Sequence, residues 1–314
     1  MATLSGGLRF VERTFFEPES AVSLFFEALN DRDAATAGSL LLPTRSSDNP
    51  VLLHRDVLRS QGYTPPADVR VEETMALDLE AGTATITASF SLGGSRHSLD
   101  LKLRRDEQKI AGFFHRWRIV GGTYPVDIHA SGVDSVRVAG VAIERDSFNN
   151  LGAFPGKYEI SLAGDPLWEA PPVAVYAGIV DSWGYSRDSE AVLEPNIKSS
   201  AIDTISDRIR SYLDRCVRAT EIAPEGCPFS ATSYLETRNV RWQIAKYPEW
   251  KVQLNYSGEA VVTTIGDGQA VVSGQTVSSF SNETSPFQYT DTFAVSGTVA
   301  VSNGAIVFTP HDTF

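Results

Sequence analysis

The chain has 314 residues, of which 42% are hydrophobic and 21% charged, and its formal net charge is -12. That length exceeds one ordinary core and predicts two or three domains. The acidic balance argues against a nucleic-acid backbone as partner, which needs clustered Lys and Arg, and disfavours adsorption to anionic lipid.

No apolar run reaches the roughly 18 residues of a membrane helix. Residues 1–7, Met-Ala-Thr-Leu-Ser-Gly-Gly, lack the basic and then apolar segments of a signal peptide. Residues 1–16 read as a lead-in or linker. Pro18 then sits where a first helical turn tolerates it. Ala21, Val22, Phe25, Phe26 and Leu29 follow at helical spacing. Asp31 or Asp33 caps a second short helix that carries Ala35 and Leu40–Leu42. Pro43 and the polar run 44–49 end it, and a further short helix is expected near His54–Arg59.

Strands follow. Ala84, Ile86, Ala88, Phe90 and Leu92 alternate with Thr85, Thr87, Ser89 and Ser91, the pattern of a half-buried strand. Gly93-Gly94-Ser95 turns the chain, and Leu99, Leu101 and Leu103 return it as a hairpin. Phe113–Val120, centred on Trp117, gives one more strand. Helices followed by an antiparallel meander indicate an α+β domain over 17–122.

Gly121-Gly122-Thr-Tyr-Pro125 marks a boundary. Residues 123–192 show short apolar runs at Val126–Ile128, Val136–Ile143, Tyr158–Leu162 and Val173–Val180, separated by turn residues. That spacing fits a small β-sandwich. The polar run Ser182–Glu194 marks the second boundary.

The last block, 193–314, opens with an amphipathic helix. Ile202, Ile205, Ile209, Tyr212, Leu213 and Cys216 share one face; Asp203, Asp207, Arg210 and Asp214 occupy others. Ala223-Pro-Glu-Gly-Cys-Pro228 cannot continue the helix. Strands then alternate through Val240, Trp242 and Ile244, and through Trp250, Val252, Leu254 and Tyr256. Phe293, Val295, Val299 and Val301 lead into Asn303-Gly304, a type I′ turn, and out through Ile306 and Phe308. The expected fold class is α+β in three parts, with helix-plus-antiparallel-sheet domains first and last.

Cys216 and Cys227 are the two cysteines of the chain. They are either reduced, unrelated thiols or one disulfide across the Pro/Gly loop, and the second reading is favoured because that loop has little else to hold it. A bridge of this span contributes roughly 2–3 kcal/mol in the chain-entropy model. It implies an oxidising compartment, with the membrane anchor upstream of Met1. Two cysteines this far apart with no nearby His are not a zinc set.

The remaining motifs carry bland readings. Gly152-Ala-Phe-Pro-Gly-Lys-Tyr158 is one residue short of a phosphate loop and has Tyr for the magnesium-binding Ser/Thr, so it reads as a turn entering a strand. The histidines at 54, 97, 115, 129 and 311 form no ligand pattern. Asn255-Tyr-Ser and Asn282-Glu-Thr match glycosylation tripeptides. Phe25, Phe26, Phe90 and Trp117 read as core. No catalytic, cofactor or metal residue is assigned.

The segment Glu19-Ser-Ala-Val-Ser-Leu-Phe-Phe-Glu-Ala-Leu-Asn-Asp-Arg-Asp-Ala-Ala-Thr-Ala resembles the opening of NTF2-like (cystatin-like) domains, whose paired helices lead into a curved sheet. Trp117-Arg-Ile resembles the close of such domains in actinobacterial lipoproteins and membrane proteins. Val136-Arg-Val-Ala-Gly140 and Phe154-Pro-Gly-Lys-Tyr-Glu-Ile160 are similar to small β-domains of bacterial envelope proteins. The whole order resembles ectodomains of the teicoplanin-resistance-associated membrane protein family. The resemblance implies a non-enzymatic extracytoplasmic domain with a binding or scaffolding role. Its partner would be another envelope protein or a cell-wall component, and its attachment to the membrane would run through an anchor not present in this chain. Two alternatives stand beside it: an isomerase- or cyclase-like enzyme that uses the first domain's cavity, with Asp31 and His115 as candidates, and a virion or appendage structural protein.

Overall fold

The computed structural model describes residues 17–42, 49–110, 114–181, 183 and 185–311. The lead-in 1–16, the run 43–48 and Phe113 lie outside them. The protein is a strand-rich α+β chain with several antiparallel sheets. It divides into two compact units: one of residues up to 130, 134–163 and 170–194, the other of 131–133, 164–169 and 195–314.

The first unit opens with α1 (Pro18–Asn30), which has Pro at its first position and buries Ala21, Val22, Phe25, Phe26 and Leu29. Asp33, not Asp31, caps α2 (Ala34–Ser39), accepting from the amides of Ala35 and Thr36 at 3.1 Å each. The helix does not run through Leu42 as the spacing predicts. Gly38 and Ser39 are weak helix formers. Leu41–Leu42 forms strand β1, whose backbone finds parallel partners at Ile119 and Val120. After α3 (Arg55–Arg59) comes β2 (Tyr63–Thr64).

A five-stranded sheet follows, in the order β1-β6-β5-β4-β3. Its remaining strands are β3 (Ala67–Asp78), β4 (Thr83–Leu92), β5 (Ser95–Ile110) and β6 (Phe114–Val120). The β4–β5 turn has positive φ at both Gly93 and Gly94, as a two-residue turn requires. Ala84, Ile86, Ala88, Phe90 and Leu92 enter the core. The strand is more than half buried, because Thr87 and Ser89 are covered as well. Their hydroxyls are satisfied: Thr87 donates to Asp100 at 2.7 Å, and Arg96 donates to Ser89 at 3.0 Å.

The same unit continues through β7 (Tyr124–Ala130), β8 (Ser135–Val138), β9 (Val141–Glu144), β10 (Leu151–Ala153) and β11 (Gly156–Ser161). Then come β12 (Trp168–Glu169), which belongs to the second unit, β13 (Val173–Ala177) and β14 (Glu190–Leu193). β7 is central to one sheet, antiparallel to β10 and parallel to β14. β11 is central to another, between β13 and β8, and β2 joins it from far upstream.

In the second unit β12 pairs with β15 (Asn196–Ile197). Helix α4 (Ser199–Val217) buries Ala201, Ile205, Ile209, Tyr212, Leu213 and Cys216. Ile202, expected on that face, lies at its margin and is 44% exposed. The strands are β16 (Glu236–Lys246), β17 (Glu249–Leu254), β18 (Ala260–Gly266), β19 (Gly268–Val277), β20 (Thr284–Phe293), β21 (Gly297–Ser302) and β22 (Ala305–Pro310). They form two antiparallel sheets, β16-β19-β20 and β17-β18-β21-β22. Asn303 and Gly304 both have positive φ and close the β21–β22 hairpin, as their type I′ chemistry predicts.

Candidate functional site

Aromatic rings pack together inside the first unit. Phe25 lies 5.4 Å from Phe26 and 6.1 Å from Phe154, and Phe26 lies 5.7 Å from Phe90, ring centre to ring centre. Asp31 is exposed at the end of α1. His115 is half-buried on β6, with Nδ1 2.8 Å from the carbonyl of Asp106. No hydrogen bond or ion pair joins Asp31 to His115. Among the described residues the buried polar side chains, aromatic ones apart, are Thr87 and Ser89, and no three His, Cys, Asp or Glu side chains gather as a metal set. The other histidines are dispersed: His54 caps α3, and His97 contacts the carbonyl of Leu92 at 3.2 Å.

Gly152–Tyr158 is strand, bend and strand rather than a phosphate cradle. Gly152 pairs with Pro125 in one sheet, and Tyr158 is fully buried in another. Of the two tripeptide asparagines, Asn282 is exposed, while Asn255 donates to the Glu259 carboxylate at 2.8 Å.

Cys216 and Cys227 are joined, with their Cα atoms 5.7 Å apart. The loop between them is held by more than the bridge. The Tyr212 hydroxyl donates to the Gly226 carbonyl, and the Trp242 indole N–H donates to the Glu221 carbonyl, both at 2.9 Å. Just past Cys227, Phe229 is fully buried against Trp242 and Phe293, with ring centres at 4.8 and 5.2 Å. The expectation of a loop with little else to hold it is corrected on this point.

The bridge fixes the end of a helix that lines a groove of about 330 Å³ between α4 and β22. Arg208, Ser211 and Arg215 stand at i, i+3 and i+7 and so share one face. The Arg215 guanidinium lies 5.6 Å above the Tyr212 ring, whose centre is 6.0 Å from that of Phe308. Among the described residues no carboxylate pairs with Arg208 or Arg215. Opposite them, β22 is the edge of its sheet. The hairpin register pairs Ala305 with Ser302 and Val307 with Ala300. In an antiparallel ladder closed by a two-residue turn, this directs the N–H and C=O groups of Ile306 and Phe308 outward.

A second, more open depression of about 740 Å³ lies on the β16-β19-β20 sheet. It is built around a β-bulge at Asn239, whose φ is 54° and whose side-chain amide donates to Gln275 at 3.1 Å. Arg241 lines it, and the Phe287 ring covers Gly274 so closely that a Cβ there would meet it at 2.9 Å.

The sequence offered one signal for the first groove, the i, i+3, i+7 placement of Arg208, Ser211 and Arg215. It acquires meaning only when β22, about ninety residues later, lies alongside. Comparison with protein-family models, with curated proteins and with solved structures returns no match.

Proposed function

We propose that this chain is a non-enzymatic extracytoplasmic domain of a bacterial envelope protein, with a binding or scaffolding role. The observation that carries the reading is the Cys216–Cys227 bridge. Disulfides persist in oxidising compartments and are rare where thiols are kept reduced. The two open grooves of the second unit, one bearing Arg208 and Arg215 beside an apolar wall and the other lined by Asn239, Arg241 and Gln275, fit contact with another envelope protein or a cell-wall component better than they fit an enclosed, desolvated reaction site.

In this reading residues 17–122 are the NTF2-like part. Their helix-then-antiparallel-sheet order supports it. Residues 123–192 are the small β-sandwich, supported by the two sheets centred on β7 and β11.

The test is the redox state of the pair in its own cells. Rapid alkylation before lysis, followed by mass spectrometry without reduction, is expected to recover Cys216 and Cys227 linked and unalkylated. Two alkylated thiols would overturn the compartment and the reading with it.

A further inference from the structure

We propose that the groove between α4 and β22 takes an extended acidic peptide segment of another protein, added as a further strand to the β17-β18-β21-β22 sheet. The proposal deepens the reading of this chain as a binding module and rests on it.

The first ground is the edge itself. An exposed edge strand presents unpaired N–H and C=O groups that template pairing, and proteins blunt such edges with charges, prolines or bulges. The other long edges of the second unit are blunted. β16 carries charges and a bulge at Asn239; β17 carries Glu249, Lys251 and an irregularity after Glu249; β20 carries Pro286 and Asp291. β22 reads Ala-Ile-Val-Phe-Thr-Pro and has no such device until Pro310, where it ends. Its outward groups at Ile306 and Phe308 have no backbone partner among the described residues.

The second ground is charge. In a chain of net charge -12, this edge is overlooked by two arginines that have no acidic partner among the described residues. Guanidinium recognises carboxylate bidentately. Seven residues of helix separate Arg208 from Arg215 by about 10 Å. Alternate residues of an added strand face the same way about 7 Å apart, and the long arginine side chains span the remainder. Two acidic residues at i and i+2 would therefore meet the two cations. An apolar residue between them would point to the opposite face of the added strand. A second copy of this chain is the weaker occupant, because β22 paired with β22 would bring four arginines together.

The experiment uses the full chain and a fluorescein-labelled synthetic peptide of alternating valine and glutamate, followed by fluorescence anisotropy. Saturable binding is expected, weakened roughly tenfold or more by Arg208→Glu or Arg215→Glu, which remove a charge-assisted contact. The same peptide N-methylated along one edge should not bind, and this control leaves the protein untouched. Amide exchange at Ile306 and Phe308 should slow when the unmodified peptide is bound. The proposal is overturned by absence of saturation, by equal binding of the N-methylated peptide or of polyphosphate, or by a β22-mediated dimer that the peptide does not displace. None of those results bears on the redox state of the cysteines, so the envelope reading stands or falls separately.

Discussion

The ring centre of Tyr63 stands 5.1 Å from that of Tyr158, and the Tyr63 hydroxyl donates to the carbonyl of Pro155 at 2.9 Å. Both rings are fully buried. Tyr63 thus ties a short strand that follows the early helices to a sheet formed about a hundred residues later. Arg32, in the left-handed region at φ 57°, supports the arrangement from the other side by donating to the carbonyls of Leu58, Ser60 and Tyr63.

Tyr63→Phe keeps the ring and leaves the Pro155 carbonyl without its donor. A buried acceptor stranded in this way costs about 1–3 kcal/mol. Equilibrium denaturation in urea should show a lower midpoint with an unchanged slope. Gly156→Ala should be worse for a steric reason, since its Cβ would stand 2.3 Å from the Tyr63 ring.

Burial raises the phenols of Tyr63 and Tyr158 above the ordinary tyrosine range, and at Tyr158 the neighbouring Tyr63 adds to the effect. The folded values exceed the unfolded value of about 10. Their contribution to stability is therefore complete below that value and is lost as pH rises toward the folded values. In an ultraviolet titration these two phenols should ionise only together with unfolding; reversible ionisation in the folded protein would contradict this.

Cys227→Ser should lower the thermal midpoint by the equivalent of about 2–3 kcal/mol, set by the short span that the bridge closes. Because Tyr212, Trp242 and Phe229 also hold the loop, the folded far-ultraviolet spectrum should be unchanged. A variant that loses α4 helicity would show the bridge to be needed for the fold itself.

The Thr36 hydroxyl, first, and the Thr36 amide hold the Asp33 carboxyl below its ordinary range. A depressed folded value means that Asp33 stabilises above the unfolded carboxylate value of about 3.9 and loses its effect as pH falls through the folded value. Asp33→Ala should lower the melting temperature at neutral pH, and the gap to the parent protein should close in acid.

Local chemistry made several elements legible. The apolar faces of α1 and α4, the Gly93-Gly94 and Asn303-Gly304 turns, and the cysteine pair all answer to rules that act over a few residues. Leu41–Leu42 did not, because its strand exists only through pairing with β6, far along the chain. β3 was hidden for a different reason: irregularities at three places break its alternation. β19 is interrupted by Gly268 and Gly274, and β20 is mostly exposed and carries Pro286, so neither shows a clean alternation. The Arg208–Arg215 groove was invisible for the same cause as β1, since one wall arrives only with the last hairpin.

The two units are interleaved along the chain. Val133, Leu167 and Trp168 lie in short segments of the second unit that are flanked by residues of the first, and all three are buried. A fragment beginning at residue 195 would therefore lack part of its own interior and the strand that pairs with Asn196–Ile197. During synthesis Trp168 emerges before any of the helix or sheets of its unit has been made. Dissecting this protein into expressible pieces calls for grafted or permuted chains rather than a single truncation point.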